Sequence, residues 1–102
     1  MNLWRWLKHR KPADVIPRTV SEAVDRLLSR ISEEDKALIR SVRKRDMSRF
    51  HHGWGTGIRN AYGLWGKNQA LLSTLPPLYR NADSASWVIM EAVWERLHGG
   101  DA

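Results

Sequence analysis

The spacing of apolar residues is the feature that most limits what this chain can fold into. Apolar residues recur three and four positions apart, and no segment shows the sustained alternation of a half-buried strand. The clearest case is residues 20–31, where the apolar side chains share one helical face behind a Thr19-x-x-Glu22 capping box. The sequence therefore predicts an all-α fold, a compact bundle of four to five short helices without a β-sheet.

Capping and breaking residues place the other helices. The predicted starts are Ser32, Ile58, Asn68 and Asp83. Gly66 ends the helix over residues 58–65, and a proline pair ends the helix over residues 68–74. The last helix reaches about Leu97 and is apolar around most of its circumference, which is typical of a central core helix or of one that shares a side with a partner.

Length and composition bound the class of protein. The 102 residues correspond to one domain, with a predicted arm and linker over residues 1–16, a helical domain over residues 17–98 and a tail over residues 99–102. The absence of cysteine excludes disulfides and thiolate metal sites. No apolar run approaches the length of a membrane span, and the first residues do not resemble a secretory signal. We therefore expect a soluble, cytoplasmic protein.

The first residues form a basic, tryptophan-containing arm. In a helical conformation, Leu3, Trp4 and Leu7 would share one side, with arginine and lysine around them. Such a pattern fits contact with a membrane surface through residues 1–11. A helix this short is marginal alone, so we favour an arm whose tryptophans dock on the protein's own core.

The net charge of +6 adds nucleic acid to the possible partners. On a helical projection, the predicted second helix carries a basic stripe formed by Lys36, Arg40, Arg43 and Lys44. Together with the arm, this stripe could contact phosphates; the alternative is an ordinary solvated face. No zinc-finger spacing, zipper heptad or recognition-helix turn motif accompanies it.

The densest candidate binding segment covers residues 50–65. It combines alternating glycines before a helix start, where free backbone N–H groups can bind an anion, with the tryptophan and arginine typical of binding hot spots. The candidate binding residues, for a protein or an anion, are His52, Trp54, Arg59, Asn60 and Gly63. The alternative is structural: the glycines make a tight turn, and Asn60 bonds their backbone. Gly63, inside the predicted helix, would then form with Arg59 a groove that another helix fills.

The chain is poorly equipped for catalysis or metal binding. It has no serine-containing elbow and no cysteine nucleophile, and nothing fixes the geometry of a pair between His52 and Asp46. His51 and His52 are adjacent, so they cannot share one helical face, and no spaced histidine motif occurs. We predict no catalytic residue, no metal and no cofactor, and hence not an enzyme.

Six tryptophans are many for a chain of this length. Four of them are predicted to build the core: Trp54, Trp65, Trp87 and Trp94. Trp87 and Trp94 lie two turns apart on the last helix, so the alternative is that they stack on a base or on an aromatic side chain of a partner.

Two spaced motifs carry a resemblance to a known family. The pattern G-x-x-I-R-N-x-aromatic-x-L-W is present as Gly55, Ile58, Arg59, Asn60, Tyr62, Leu64 and Trp65. The pattern D-x-x-S-x-x-I followed by tryptophan is present as Asp83, Ser86, Ile89 and Trp94. Together they resemble a small bacterial or phage domain family of unknown function, from which Tyr62 departs because tryptophan is more usual there. The resemblance implies one compact domain over about residues 20–99 and no particular activity. It also suggests that Asp83 or Ser86 lies near Arg59 and balances its charge.

These observations lead to two functional hypotheses. The first is a small non-enzymatic helical binding module that acts through contact with another protein or through self-association. Its surface would include residues 53–67 and Trp87 or Trp94. The alternative is a nucleic-acid-binding protein that uses the basic second helix and the N-terminal arm.

Overall fold

The first two helices begin at their capping residues. Thr19 Oγ1 accepts a hydrogen bond from the backbone N–H of Glu22, and α1 follows as Val20–Arg30. Ser32 caps α2, Glu33–Ser41, in the same way. Such a side chain satisfies a backbone N–H that the first helical turn leaves unpaired, and both predicted starts are confirmed.

The structure is a computed structural model, and it describes residues 16–99. Three further α-helices are present: α3, Thr56–Ala61; α4, Gln69–Ser73; and α5, Ala82–Leu97. A 3₁₀ helix, Lys44–Phe50, and a π-helical turn, His51–Gly55, connect α2 to α3. A 3₁₀ turn, Pro77–Tyr79, precedes α5. No β-strand occurs between residues 16 and 99, and the predicted all-α fold is confirmed. The predictions for the arm, residues 1–11, lie outside the described residues.

The central element of the fold is α5, which packs against α1, α2 and α3. Its buried residues are Ala82, Ala85, Ser86, Ile89, Met90 and Val93. They recur three and four positions apart and so share one face of the helix, while Trp87, Val88, Ala92, Trp94 and Leu97 are only partly buried. Burying each large apolar side chain contributes about 1.5–3 kcal/mol. In the described part of the chain, no helix is both long enough and apolar enough to cross a membrane.

The start of α5 differs from its prediction by two residues. Asn81 caps the helix, because its side-chain oxygen accepts a hydrogen bond from the backbone N–H of Ser84 at 2.9 Å. Asparagine caps helices as well as aspartate does, so the sequence offered two candidate caps, and the prediction of Asp83 was wrong. Asp83 instead lies in the first turn, where its charge faces the positive end of the helix dipole.

The predicted helix over residues 58–65 is wrong at both ends. It starts earlier, because the π-helical turn runs directly into Thr56. It ends earlier because Gly63 has φ +66°, in the left-handed region that favours glycine. The backbone N–H of Leu64 then donates to the carbonyl of Arg59 at 3.0 Å, the closing bond of a Schellman motif. Gly63 is therefore a helix terminator and not a residue inside a helix.

The tryptophans divide between the core and the surface. Trp54 is 1% exposed and belongs to the core, and Trp87 and Trp94 are partly buried against it. The indole N–H of Trp94 donates to the carbonyl of Val42 at 2.8 Å, which ties α5 to the end of α2. Trp65 is 65% exposed, so its prediction as a core residue is wrong.

Candidate binding groove beside Trp65

Arg59 is buried at the centre of a polar cluster. Its side chain points from α3 into the molecule, and the residue is only 4% exposed. Nη1 donates to Ser86 Oγ at 2.9 Å, and Nη2 donates to Thr56 Oγ1 at 2.8 Å and to the carbonyl of His51 at 3.2 Å. Three acceptors on three different elements therefore hold the guanidinium, and hydrogen bonds to a charged group are stronger than those between neutral groups.

Asp83 supplies the counter-charge. Its Oδ1 lies 3.6 Å from Arg59 Nε, which is an ion-pair distance beyond hydrogen-bond length. The carboxylate is 66% exposed, so water solvates it on its outer side. Asp83 and Ser86 thus both lie near Arg59, and the expectation drawn from the two motifs is confirmed.

The polar cluster around Arg59 explains why residue 55, one of the alternating glycines, has no side chain. A Cβ at Gly55 would lie 3.0 Å from Arg59 Nη1 and 3.5 Å from the terminal methyl of Met90. The guanidinium cannot move aside without losing its acceptors, because three hydrogen bonds hold it. Gly53 has no atom within 4 Å of such a Cβ.

We expect Gly55→Ala to lower the free energy of unfolding by about 1–3 kcal/mol, the usual effect of overpacking. The matched control Gly53→Ala lies two residues away in the same turn, with open space around its Cβ and no positive φ. It should leave stability unchanged or raise it by up to about 1 kcal/mol. Urea unfolding followed by circular dichroism measures both, and equal effects of the two variants would contradict the crowding argument.

Trp65 lies at the protein surface and contacts this cluster. Its indole N–H donates to Asn60 Oδ1 at 2.9 Å. The guanidinium carbon of Arg59 lies 5.9 Å from the centroid of the indole ring, within cation–π range. Asn60 therefore bonds the indole of Trp65. The alternative that Asn60 bonds the backbone of the glycine turn is wrong. The hydrogen bond and the cation–π contact restrain this exposed indole before any ligand arrives.

A groove of about 340 Å³ opens next to this indole. Its walls are formed by Trp65, Gly66, Gln69, Arg80, Asn81 and Asp83. Leu64 and Leu72, both buried, form its apolar floor. The guanidinium of Arg80 is already engaged, because Nε donates to the carbonyl of Leu75 at 2.7 Å. The groove thus lies between the loop after α3 and the first turn of α5. Arg59 connects these two elements, because it bonds Ser86 on α5 and contacts the ring of Trp65 in the loop.

A hydrogen bond from Asn68 holds the start of the described chain next to the groove. It is buried, and its Nδ2 donates to the carbonyls of Pro17 at 2.7 Å and Tyr62 at 2.9 Å. Its Oδ1 accepts from the backbone N–H of Leu71 and so caps α4. The capping role agrees with the predicted start, but sequence reasoning missed the bond to Pro17, because no local pattern shows a partner 51 positions away.

Of the four exposed large apolar side chains of residues 16–99, one lines this groove and three are near lining residues along the chain or through a hydrogen bond. They are Ile16, Trp65, Leu78 and Tyr79. Trp65 forms part of a wall, and Leu78 and Tyr79 directly precede Arg80. Ile16 is next to Pro17, which Asn68 holds beside Gln69. Single exposed apolar residues are normal, so the feature that points to an interaction surface is the exposed indole of Trp65 on the wall of a groove.

Comparison with known families assigns the chain. The model of a domain family of unknown function, DUF6794, matches residues 16–97. The chain belongs to this family. The expectation of a domain family of unknown function is confirmed. The comparisons with curated proteins and with solved structures found no match.

The candidate binding residues of this DUF6794 domain do not share one surface. Trp54 and Arg59 are buried, whereas His52 and Asn60 are exposed. Gly63 lies at the turn after α3. Sequence reasoning missed Trp65 as a surface residue, because an apolar residue at helical spacing normally belongs to the core face. Between residues 16 and 99, no group of three or more histidine, aspartate or glutamate side chains is arranged to hold a metal ion.

The basic residues of the predicted stripe are on two elements of the DUF6794 domain. α2 ends at Ser41, and Val42 is extended, so Arg43 and Lys44 lie beyond the helix and the single-helix stripe is wrong. Each of the four residues also has a partner: Lys36 with Glu33, Arg40 with the carbonyl of Leu97, Arg43 with Asp46, and Lys44 with Glu95. The bond to Glu95 raises the pKa of Lys44. Contact with nucleic acid stays a prediction, and phosphates would have to compete with these partners.

Proposed function

We propose that this DUF6794 domain is a small non-enzymatic module that binds another protein through the groove beside Trp65. The observation that carries the proposal is the exposed indole of Trp65 on the groove wall, which a hydrogen bond to Asn60 and the cation of Arg59 restrain. Tryptophan is the residue type most enriched at the centre of protein interfaces. A side chain that is already ordered loses little entropy on binding, which favours affinity.

The walls indicate which partner chemistry suits the groove. The indole face and the leucine floor favour an apolar or aromatic side chain of the partner. Asp83 adds an exposed carboxylate to the lining, and the amide of Gln69 offers both a donor and an acceptor. We therefore expect an apolar segment with a neighbouring basic residue, presented by a second protein chain.

Affinity capture with the full chain, followed by titration of the purified partner, tests the proposal. Trp65→Ala should raise the Kd at least about 30-fold, since truncating a hot-spot residue removes about 2 kcal/mol or more. The matched control is Arg40→Ala, whose side chain reaches Leu97 at the other end of α5. It should leave the Kd unchanged.

Two results would contradict the proposal. One is equal affinity of the wild type and Trp65→Ala for the purified partner. The other is a partner whose binding weakens in Arg40→Ala and at raised salt but not in Trp65→Ala, which would favour nucleic acid. Light scattering of the free chain in the same buffer shows whether the second protein chain is another copy of this domain.

A further inference from the structure

We infer that the N-terminal segment of this same chain, residues 1–15, occupies the groove beside Trp65. The contact would use the apolar side chains Leu3, Trp4, Trp6 and Leu7. The inference names an occupant for the surface described above. Only its regulatory consequence, that a partner must displace this segment, rests on the proposed function.

The first argument is where the segment joins the domain. Pro17 is buried, and Asn68 Nδ2 holds its carbonyl at 2.7 Å. Asn68 is the neighbour in sequence of Gln69, which lines the groove. The segment therefore reaches the described part of the chain at the edge of the groove and not on the far side of the molecule.

The second argument is length. Fifteen residues precede Ile16, and an extended chain of that length spans roughly 50 Å. The longest dimension of the described domain is 32 Å. The segment is therefore long enough to place Trp4 and Trp6 against the groove. Because it is tethered, its effective local concentration at the groove is roughly in the millimolar range.

The third argument is complementary chemistry. Besides Trp65, Leu78 and Tyr79 are exposed, and they directly precede Arg80, which lines the groove. The segment has four apolar residues to cover them, and burial of apolar surface is the general driving force for such contacts. Its basic residues, Arg5, Lys8, Arg10 and Lys11, can meet the exposed carboxylate of Asp83. Arg80 on the groove wall has the same charge as these residues, so the favourable charge contact is with Asp83.

A paramagnetic label in the full chain tests the inference directly. The protein has no cysteine, so Ala70→Cys, at an exposed position next to Gln69 and outside the groove lining, carries a nitroxide beside the groove without competing sites. With ¹⁵N-labelled tryptophan, the indole N–H signals of Trp4 and Trp6 should lose most of their intensity, together with that of Trp65. Trp4→Phe and Trp6→Phe assign the two arm signals.

The control label is Ser29→Cys, at the opposite end of the domain. Asp25, one turn before it on α1, pairs with Arg96, and Arg96 lies about 20 Å along α5 from Asp83 at the usual helical rise. From this position the arm signals should keep their intensity. Adding Trp65→Ala to the groove-labelled chain should restore the signals of Trp4 and Trp6, while an unchanged Trp54 signal shows that the fold persists.

The outcomes are distinct. Intact Trp4 and Trp6 signals next to a broadened Trp65 signal would overturn the inference. Broadening that appears only when nitroxide-labelled and ¹⁵N-labelled chains are mixed would assign the groove to a second copy and would also overturn it. Loss of the arm signals on addition of lipid vesicles alone, with none in their absence, would assign the segment to a membrane surface instead. No partner protein enters the measurement, so it can fail while the proposed function stands.

Discussion

Replacing Trp54 with alanine is expected to lower the free energy of unfolding by about 3–5 kcal/mol, the usual effect of truncating a buried tryptophan. The side chain is 1% exposed and is among the largest in the core, so its removal leaves a cavity that the surrounding helices cannot fill. A domain of this size is stable by only about 5–15 kcal/mol. Urea unfolding followed by circular dichroism should therefore show a large shift of the midpoint.

The matched control is the other tryptophan of the same segment. Trp65 is 65% exposed, so we expect Trp65→Ala to lower the free energy of unfolding by less than about 1 kcal/mol. Trp54→Phe should lie between the two: it keeps most of the ring volume and removes an indole N–H that, among the described residues, has no hydrogen-bond partner. Similar losses in Trp54→Ala and Trp65→Ala would show that the division of the two residues between core and surface is wrong.

Replacing Arg59 with methionine should lower the free energy of unfolding by about 2–4 kcal/mol, because it leaves buried acceptors unpaired. Methionine keeps the long apolar stem, so the loss reports the hydrogen bonds and not an empty volume. The carbonyl of His51 and the hydroxyl of Thr56 lose their donor, and Ser86 loses its link to α3. Thermal and urea unfolding both measure the effect.

Two further variants separate the contributions around Arg59. Arg59→Lys keeps the charge, but one ammonium cannot reach all the acceptors of a planar guanidinium, so we expect most of the loss to remain. Asp83→Asn removes the counter-charge, and because that carboxylate is 66% exposed its loss should amount to less than about 1 kcal/mol. A larger effect of Asp83→Asn than of Arg59→Met would mean that the ion pair, and not the hydrogen bonds, holds the cluster.

Arg59 also connects stability with the candidate site. The residue bonds Ser86 on α5 and lies under the ring of Trp65 in the loop after α3. Both elements contribute residues to the lining of the groove. Any change at Arg59 should therefore alter the groove as well as the fold, so Arg59 variants cannot by themselves identify a binding surface, whereas Trp65→Ala can.

Sequence reasoning succeeded where the determinant is local. Thr19 and Ser32 cap their helices through residues three positions ahead, and the apolar projection of the last helix predicts its central place. The position of Asp83 or Ser86 near Arg59 is not a local effect and was expected only from the resemblance that the two motifs carry. Sequence reasoning failed where competing local signals were equal, as at Asn81 and Asp83, or where one glycine could either continue or end a helix, as at Gly63.

The amino-acid sequence alone determined that this chain folds into short helices and where most of them begin, because capping bonds and apolar periodicity act over three or four residues. Tertiary structure decided which polar and aromatic residues are inside. Arg59 is buried and Trp65 exposed, although a hydropathy pattern favours the reverse. The reason is that acceptors from His51, Thr56 and Ser86 meet only after the helices have packed. Once they hold the guanidinium inside, the indole lies above it at the surface and forms one wall of the groove.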